Sequence, residues 1–262
     1  MKTFGAVVQA LREHAGLSRD EFAPLVRFSK HTVASIELGR RMPDQAFVER
    51  AEEALGNTGA LRRSARHLSR QPGLAAWFRQ WARLEAEAIS LHTYECRLIP
   101  GLLQTEAYAR RLFADRLPPL DDDQIEARLA ARTERQQLLP DRPNTAYSFI
   151  LEEHLFLRRT GGRTVTLELI DHILDLADLR NIEIQVMPQV RESHAGMDGP
   201  MRLVETHENR WFGYSEGQES GQLISDPKVV SMLKMRYARM RSQALSPEDS
   251  LSLLRRMRGA AA

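Results

Sequence analysis

Apolar residues recur at helical spacing from the start of the chain. Phe4, Val7, Val8 and Leu11 predict a first helix over 3–15, closed by Gly16. Ser18 followed by Glu21 has the spacing of a capping box, in which the hydroxyl takes a helix-start N–H and the carboxylate reaches back to the cap. A second helix therefore begins at about Arg19, carries Phe22, Ala23 and Val26 on its inner side, and ends at Arg27-Phe28. Ser29 caps a third helix, 30–38, with Val33 and Ile36 facing inward and Lys30, His31, Thr32 and Ser35 facing outward; Gly39 supplies the left-handed turn that stops it. That outward set is short, polar and close to the helix start, where a recognition helix presents side chains to base edges in a major groove. Asp44 caps a fourth helix through Phe47, Val48, Ala51 and Leu55. After the Gly56-Asn57 turn, a fifth helix, 58–68, carries Arg62, Arg63 and Arg66.

The pattern then changes. Ser69-Arg70-Gln71-Pro72-Gly73 reads as a short linker, dividing the chain into 1–68, 69–73 and 74–262. Trp77, Phe78, Trp81, Leu84, Ala88 and Ile89 predict one long amphipathic helix over 74–91, followed by an extended segment at 92–98. Ile99-Pro100-Gly101 is a turn that launches a helix over 102–113, and Asp121-Asp122-Asp123 starts another that runs to about Leu139, with Arg128, Arg132 and Arg135 on one face. Strands are expected at 146–151, at 182–187 with Ile182, Ile184 and Val186 inward, and as a hairpin of 200–206 and 210–215; helices are expected at 164–179 and over 226–258, the latter divided at Ser246-Pro247. The expected fold is an N-terminal all-α five-helix domain followed by a larger α+β domain.

Composition narrows this picture. The 262 residues, 42% hydrophobic and 27% charged, are enough for two folded domains. No apolar run is long enough for a bilayer and no opening segment resembles a signal peptide, so the protein is expected to be soluble and cytoplasmic, without a membrane partner. The lone Cys96 allows neither an internal disulfide nor a thiolate-rich zinc site and is expected to be a small buried hydrophobe. Residues 1–70 hold twelve Lys or Arg against eight Asp or Glu, so the basic character lies at the N-terminal end.

Catalytic chemistry is not visible. The eight histidines form no HExxH or His-x-His, and on a strand Glu152, Glu153 and His154 would alternate faces rather than converge. A Walker-type glycine loop and a GxSxG elbow are also missing, so no metal, no cofactor and no enzymatic activity are expected. Two places remain open. The loop 194–200, with His194 and Asp198, either lines a pocket or partner surface or simply turns the chain. Arg128, Arg132 and Arg135 either receive an acidic partner or ligand or form a salt-bridged solvent face.

Two family resemblances follow from residues at fixed spacing. Arg12, Gly16-Leu17-Ser18, Glu21-Phe22-Ala23, Phe28-Ser29, Val33, Ile36-Glu37, Gly39 and Arg40-Arg41-Met42-Pro43 resemble the lambda-repressor-like helix-turn-helix of XRE and phage Cro/C1-type regulators. Pro24 inside the second helix and Arg27 at the turn, where the family usually has glycine, depart from that pattern. The resemblance implies an Arg12–Glu37 ion pair, base contacts from Lys30, His31, Thr32 and Ser35, phosphate contacts from Arg19, Arg40 and Arg41, and a homodimer on a palindromic double-stranded DNA operator. The segment LIPGLLQTEAYAR at 98–110, with Arg132, Arg135-Gln136, Leu138, HAGMDGP at 194–200 and 245–248, is similar to an actinobacterial group of XRE-type regulators, often described as antitoxin-like, with a C-terminal domain of unknown function. It implies a nucleoid-associated transcriptional regulator whose larger domain senses a partner or ligand. The alternative is an antitoxin-like protein that grips a small protein encoded nearby and uses DNA binding for autoregulation.

Overall fold

The computed structural model describes residues 2–65, 78–217 and 221–261. The chain divides into two compact units, Met1–Arg70 and Gln71–Ala262. The expected linker at 69–73, the end of the fifth helix and Trp77 lie outside the described residues.

The smaller unit contains five helices, α1 (Lys2–His14), α2 (Arg19–Val26), α3 (Lys30–Glu37), α4 (Gln45–Ala54) and α5 (Ala60–Ala65). Their starts follow the caps: Ser18 and Glu21 close a capping box on α2, Ser29 accepts from Thr32 N on α3, and Asp44 accepts from Phe47 N on α4. The core is Phe4, Val8, Phe22, Val26, Val33, Ile36, Phe47, Ala51 and Leu61, with Phe47 meeting Phe22 and Phe28 edge-on. The buried Glu52 accepts from the backbone N–H groups of Gly59 at 2.6 Å and Arg62 at 2.8 Å, tying the start of α5 to α4.

The larger unit is built on a six-stranded mixed sheet in the order β3-β2-β1-β4-β5-β6. Its strands are β1 (Ala88–Glu95), β2 (Ala146–Glu152), β3 (Ile182–Met187), β4 (Met201–Thr206), β5 (Trp211–Glu216) and β6 (Gly221–Ile224). β1, β2 and β3 pair in parallel, and β4, β5 and β6 continue antiparallel. Helix α6 (Phe78–Ala86) precedes β1; α7 (Glu106–Ala114), α8 (Asp122–Gln136), the single turns α9 (Leu138–Asp141) and α10 (His154–Leu157), and α11 (Arg163–Ala177) fall between the first three strands; α12 (Pro227–Gln243) and α13 (Pro247–Ala261) close the fold. One core includes Trp81, Leu91, Tyr147, Phe149, Ile173, Ile184 and Leu254. A second, on which α12 packs, includes Tyr94, Ile150, Leu203, Leu233, Tyr237 and Met240. The unit is α+β.

Several expectations need correction. The helix expected over 74–91 ends at Ala86, and Ala88 and Ile89 begin a central strand. Residues 90–95 pair with β2 and 88–94 with β4, and this pairing outweighs the helical spacing of their side chains. The helix expected from Leu102 starts at Glu106, because Thr105 caps it by accepting from Tyr108 N; Gly101–Leu103 form a 3₁₀ turn. The helix after Asp121 stops at Gln136. Cys96 is half-exposed at the margin of the second core. β6 was not expected, since its four residues carry little apolar signal.

Candidate nucleic-acid interface

The helix-turn-helix is α2, a tight turn and α3. Pro24 is accommodated within α2, and Arg27 ends that helix in the left-handed conformation at φ 57°, where glycine would be unstrained. The Arg27 N–H reaches Ala23 O and Pro24 O, and the Phe28 N–H reaches Ala23 O at 3.1 Å, so the last carbonyls of α2 are satisfied despite the strained residue.

Glu37 fixes the orientation of α3. Its side chain is completely buried; Oε1 accepts from Arg12 Nε at 2.6 Å and Oε2 from Arg12 Nη2 at 3.2 Å. The hydrogen bond to Glu37 raises the Arg12 pKa against the opposing effect of burial. Arg12 Nη1 also donates to Leu17 O at 2.7 Å, so one guanidinium joins α1, the loop before α2 and the end of α3. Arg19, expected at phosphate, gives its Nε to Glu37 Oε2 at 2.6 Å and is about one-third exposed. It is a second clamp on the same carboxylate.

The expected reading residues share the open side of α3. Lys30 and His31 are exposed, while Thr32 and Ser35 are half-buried. Lys30 Nζ lies 2.6 Å from Asp20 Oδ2, an exposed pair of the kind worth about 0–1 kcal/mol, which a phosphate or base edge can replace. Thr32 Oγ1 is 3.0 Å from Ser29 Oγ and accepts from Arg41 Nη1 at 3.4 Å. Arg41 therefore reaches the start of α3, and Arg40 beside it is exposed. Thr32 and Arg41, one from each expected set, are thereby joined.

In the larger unit, the segment 98–110 packs against α8. Gln104 Nε2 donates to Ile99 O at 2.6 Å, and Gln136 Nε2 donates to Gly101 O at 2.8 Å and Gln104 O at 2.7 Å. Arg132 Nη1 donates to Gln104 Oε1, and the guanidinium lies 4.8 Å over the Phe113 ring. These residues are thus the hydrogen-bonded seat of a 3₁₀ turn. A family model described as a helix-turn-helix domain matches residues 3–65, and one described as a domain of unknown function (DUF5753) matches residues 78–256, more than half of the chain. The chain belongs to the DUF5753 family. Its helix-turn-helix domain marks it as a DNA-binding regulator. No curated protein and no solved structure matches it.

The other sites expected in the DUF5753 domain form two separate clusters. Arg135 pairs with the buried Glu85 at 2.7 Å and lies 4.5 Å over Phe78, while Arg128 lies 6.0 Å from the centroid of Phe113. Burial, reinforced by Arg135 and Arg202, pulls the Arg132 pKa down to about 9, and its buried Nε has no hydrogen-bond partner among the described residues. These three arginines pack on aromatic rings rather than forming the salt-bridged solvent face considered above.

His194 and Asp198 are engaged elsewhere. His194 Nε2 lies 3.2 Å from Glu152 Oε1, which also accepts from Tyr94 Oη at 2.7 Å; Asp198 pairs with Arg236 at 2.7 Å. Gly196 N donates to His194 Nδ1 at 3.1 Å, so Nε2 carries the ring proton toward Glu152. His154 Nδ1 is 3.9 Å from Glu152 Oε2. Two histidines therefore meet the end of β2, contrary to the expectation that Glu152 and His154 diverge, because a helical turn follows the strand at once. Among the described residues, no group of three His, Cys, Asp or Glu is placed to hold a metal ion, and no helix is long and apolar enough to cross a membrane.

Proposed function

We propose that the protein is a sequence-specific transcriptional regulator of the XRE, Cro/C1 type, which inserts α3 into the major groove of a palindromic operator as a homodimer. Lys30, His31, Thr32 and Ser35 meet base edges, while Arg40 and Arg41 hold phosphates. The observation that carries this reading is the Glu37 clamp: a fully buried carboxylate engaging Arg12 and Arg19 holds α3 rigidly with its polar side open. Rigid presentation lets short side chains discriminate bases, because a small displacement would break their hydrogen bonds. The DUF5753 domain receives the signal, a ligand or a partner protein, and brings two copies together. This is a cytoplasmic role at the nucleoid.

Selection of bound sequences from random duplexes, followed by titration with the full chain, tests the assignment. Ser35→Ala and Thr32→Ala should each lose about 1–3 kcal/mol on the selected site and little on random DNA. Arg40→Ala should weaken both and reduce the salt slope by about one. Equal losses on selected and random DNA for Ser35→Ala would remove it from base reading.

A second reading, an antitoxin-like protein that uses its larger domain to hold a small protein, is favoured by the basic character of α12: five Lys or Arg and no Asp or Glu.

A further inference from the structure

A groove of about 760 Å³ runs between α12 and β5. α12 lines it from Pro227 to Ala238 with residues three and four apart, including Val230, Lys234 and Met235, so the groove follows about 16 Å of helix. Trp211 and Phe212 form the other wall, with Arg210 beside them. Met235 is 65% exposed, and Val229 and Met232 continue the uncovered apolar surface along the helix. Methionine and the Trp211 ring on an open groove suit a partner that must be accommodated in shape.

Charge identifies that partner. Of the five cations on α12, Arg236 pairs with Asp198 and Arg241 with Glu183. Lys228, Lys234 and Arg239 make no ion pair among the described residues; Lys234 Nζ sits 4.0 Å over the Trp211 ring, at the groove itself. Arg210 lies 5.0 Å over Phe212 and pairs with the exposed Glu208 at 3.6 Å. The groove is therefore lined by apolar residues with Lys234 and Arg210 among them, and Lys228 and Arg239 flank it on the same helix, outside its lining. A strand cannot be added at this wall, since β5 is already paired with β4 and β6. A helix can lie alongside α12 by the same three-and-four spacing.

We propose that this groove seats an amphipathic helix of a partner protein, with its apolar side against Trp211, Val230 and Met235 and its acidic flank against Lys228, Lys234 and Arg239. This assignment rests on the reading of the DUF5753 domain as the partner-binding half and gives that half a surface and a partner chemistry. Acidic residues steer the approach, and burial of the apolar side holds the complex.

The probe is a fluorescent, photo-crosslinkable helical peptide with leucines three and four apart and glutamates elsewhere, compared with its lysine counterpart on the full chain. The glutamate peptide should bind, weaken as salt is raised, and crosslink to α12 or β5, whereas the lysine peptide should not bind. Met235→Lys is the deciding variant. Loss of the apolar anchor should weaken the glutamate peptide about tenfold, although the added cation would strengthen a merely electrostatic association. Lys234→Glu should weaken it similarly, and unchanged melting temperatures for both variants show that the fold is kept. Tighter binding by Met235→Lys, or equal binding of the two peptides, overturns the proposal. Crosslinks elsewhere in residues 78–261 remove the groove but retain partner binding by the domain; no binding of either peptide removes both. Binding of decanoate to wild type but not to Met235→Lys, with the glutamate peptide unbound, makes the groove a small-molecule site and also sinks the proposal.

Discussion

Glu37 carries more of the smaller unit than any exposed residue of α3. Its side chain is sealed from water, and both oxygens are occupied by guanidinium nitrogens. Arg12 is nearly as buried, at 6% side-chain exposure, so neither partner can replace the other with solvent. Removing one member of such a pair costs about 3–5 kcal/mol, because the remaining charge stays buried and uncompensated. Glu37→Ala should therefore destabilise the smaller unit by that amount in urea unfolding followed by hydrogen exchange of residues 2–65. Arg19→Ala should cost less, about 1 kcal/mol, since Arg19 is one-third exposed and Arg12 still neutralises the carboxylate. Equal losses for the two variants, or a loss below about 1 kcal/mol for Glu37→Ala, would mean that the clamp does not hold α3.

The packing of α1 against α3 depends on a single missing methyl. A Cβ on Gly5 would lie 2.3 Å from Glu37 O and 2.5 Å from Ile36 O, both backbone atoms that cannot swing aside. Gly5→Ala should force the two helices apart, cost about 1–3 kcal/mol, and weaken binding to selected and random DNA alike, because the whole of α3 moves. Thermal melting and duplex titration of the same variant check both effects; wild-type affinity would show that α3 tolerates the shift. The helices of this unit were legible because each start is written locally: Ser18 with Glu21, Ser29 and Asp44 each act within three residues. The α6–β1 boundary was not, because Ala88 and Ile89 fit a helical stripe and are made part of a strand by pairings such as Ala88 with Thr206 and Ser90 with Ala146, dozens of residues away. Long-range assembly also hid the histidine pair at Glu152, which joins the ends of two segments, and the groove, whose walls come from β5 and α12. The Arg19–Glu37 pair was hidden for a related reason. A surface arginine at a helix start suits phosphate, and only the three-dimensional approach of α3 shows where its Nε goes.

The two units are also set to respond differently to acid. In the larger unit, His92 meets Trp211 edge-on and Tyr237 at a tilt, and burial, with repulsion from Arg241 and Lys234, pushes its pKa down to about 4. An unfolded chain binds that proton near pH 6.5, whereas the folded unit resists it until about pH 4. The stability is therefore fully present above about pH 6.5 and is lost progressively down to about pH 4, by about 3 kcal/mol in all. His172, also lowered by burial, adds in the same direction. In the smaller unit, burial raises the pKa of Glu52, but N–H bonds from Arg62 and Gly59 and the Thr58 hydroxyl outweigh it and hold the carboxyl below its usual value. Its contribution is present above about pH 4.3, the unfolded glutamate value, and disappears only as pH falls further. Lowering the pH from 7 to 5 should thus weaken the larger unit while the Glu52 bonds stay intact. Denaturant unfolding resolved by hydrogen exchange at each pH should show this, and His92→Phe, which keeps an aromatic ring between Trp211 and Tyr237 without a titrating nitrogen, should flatten most of the slope in residues 78–261. An unchanged slope in His92→Phe would place the acid sensitivity of the DUF5753 domain on another group.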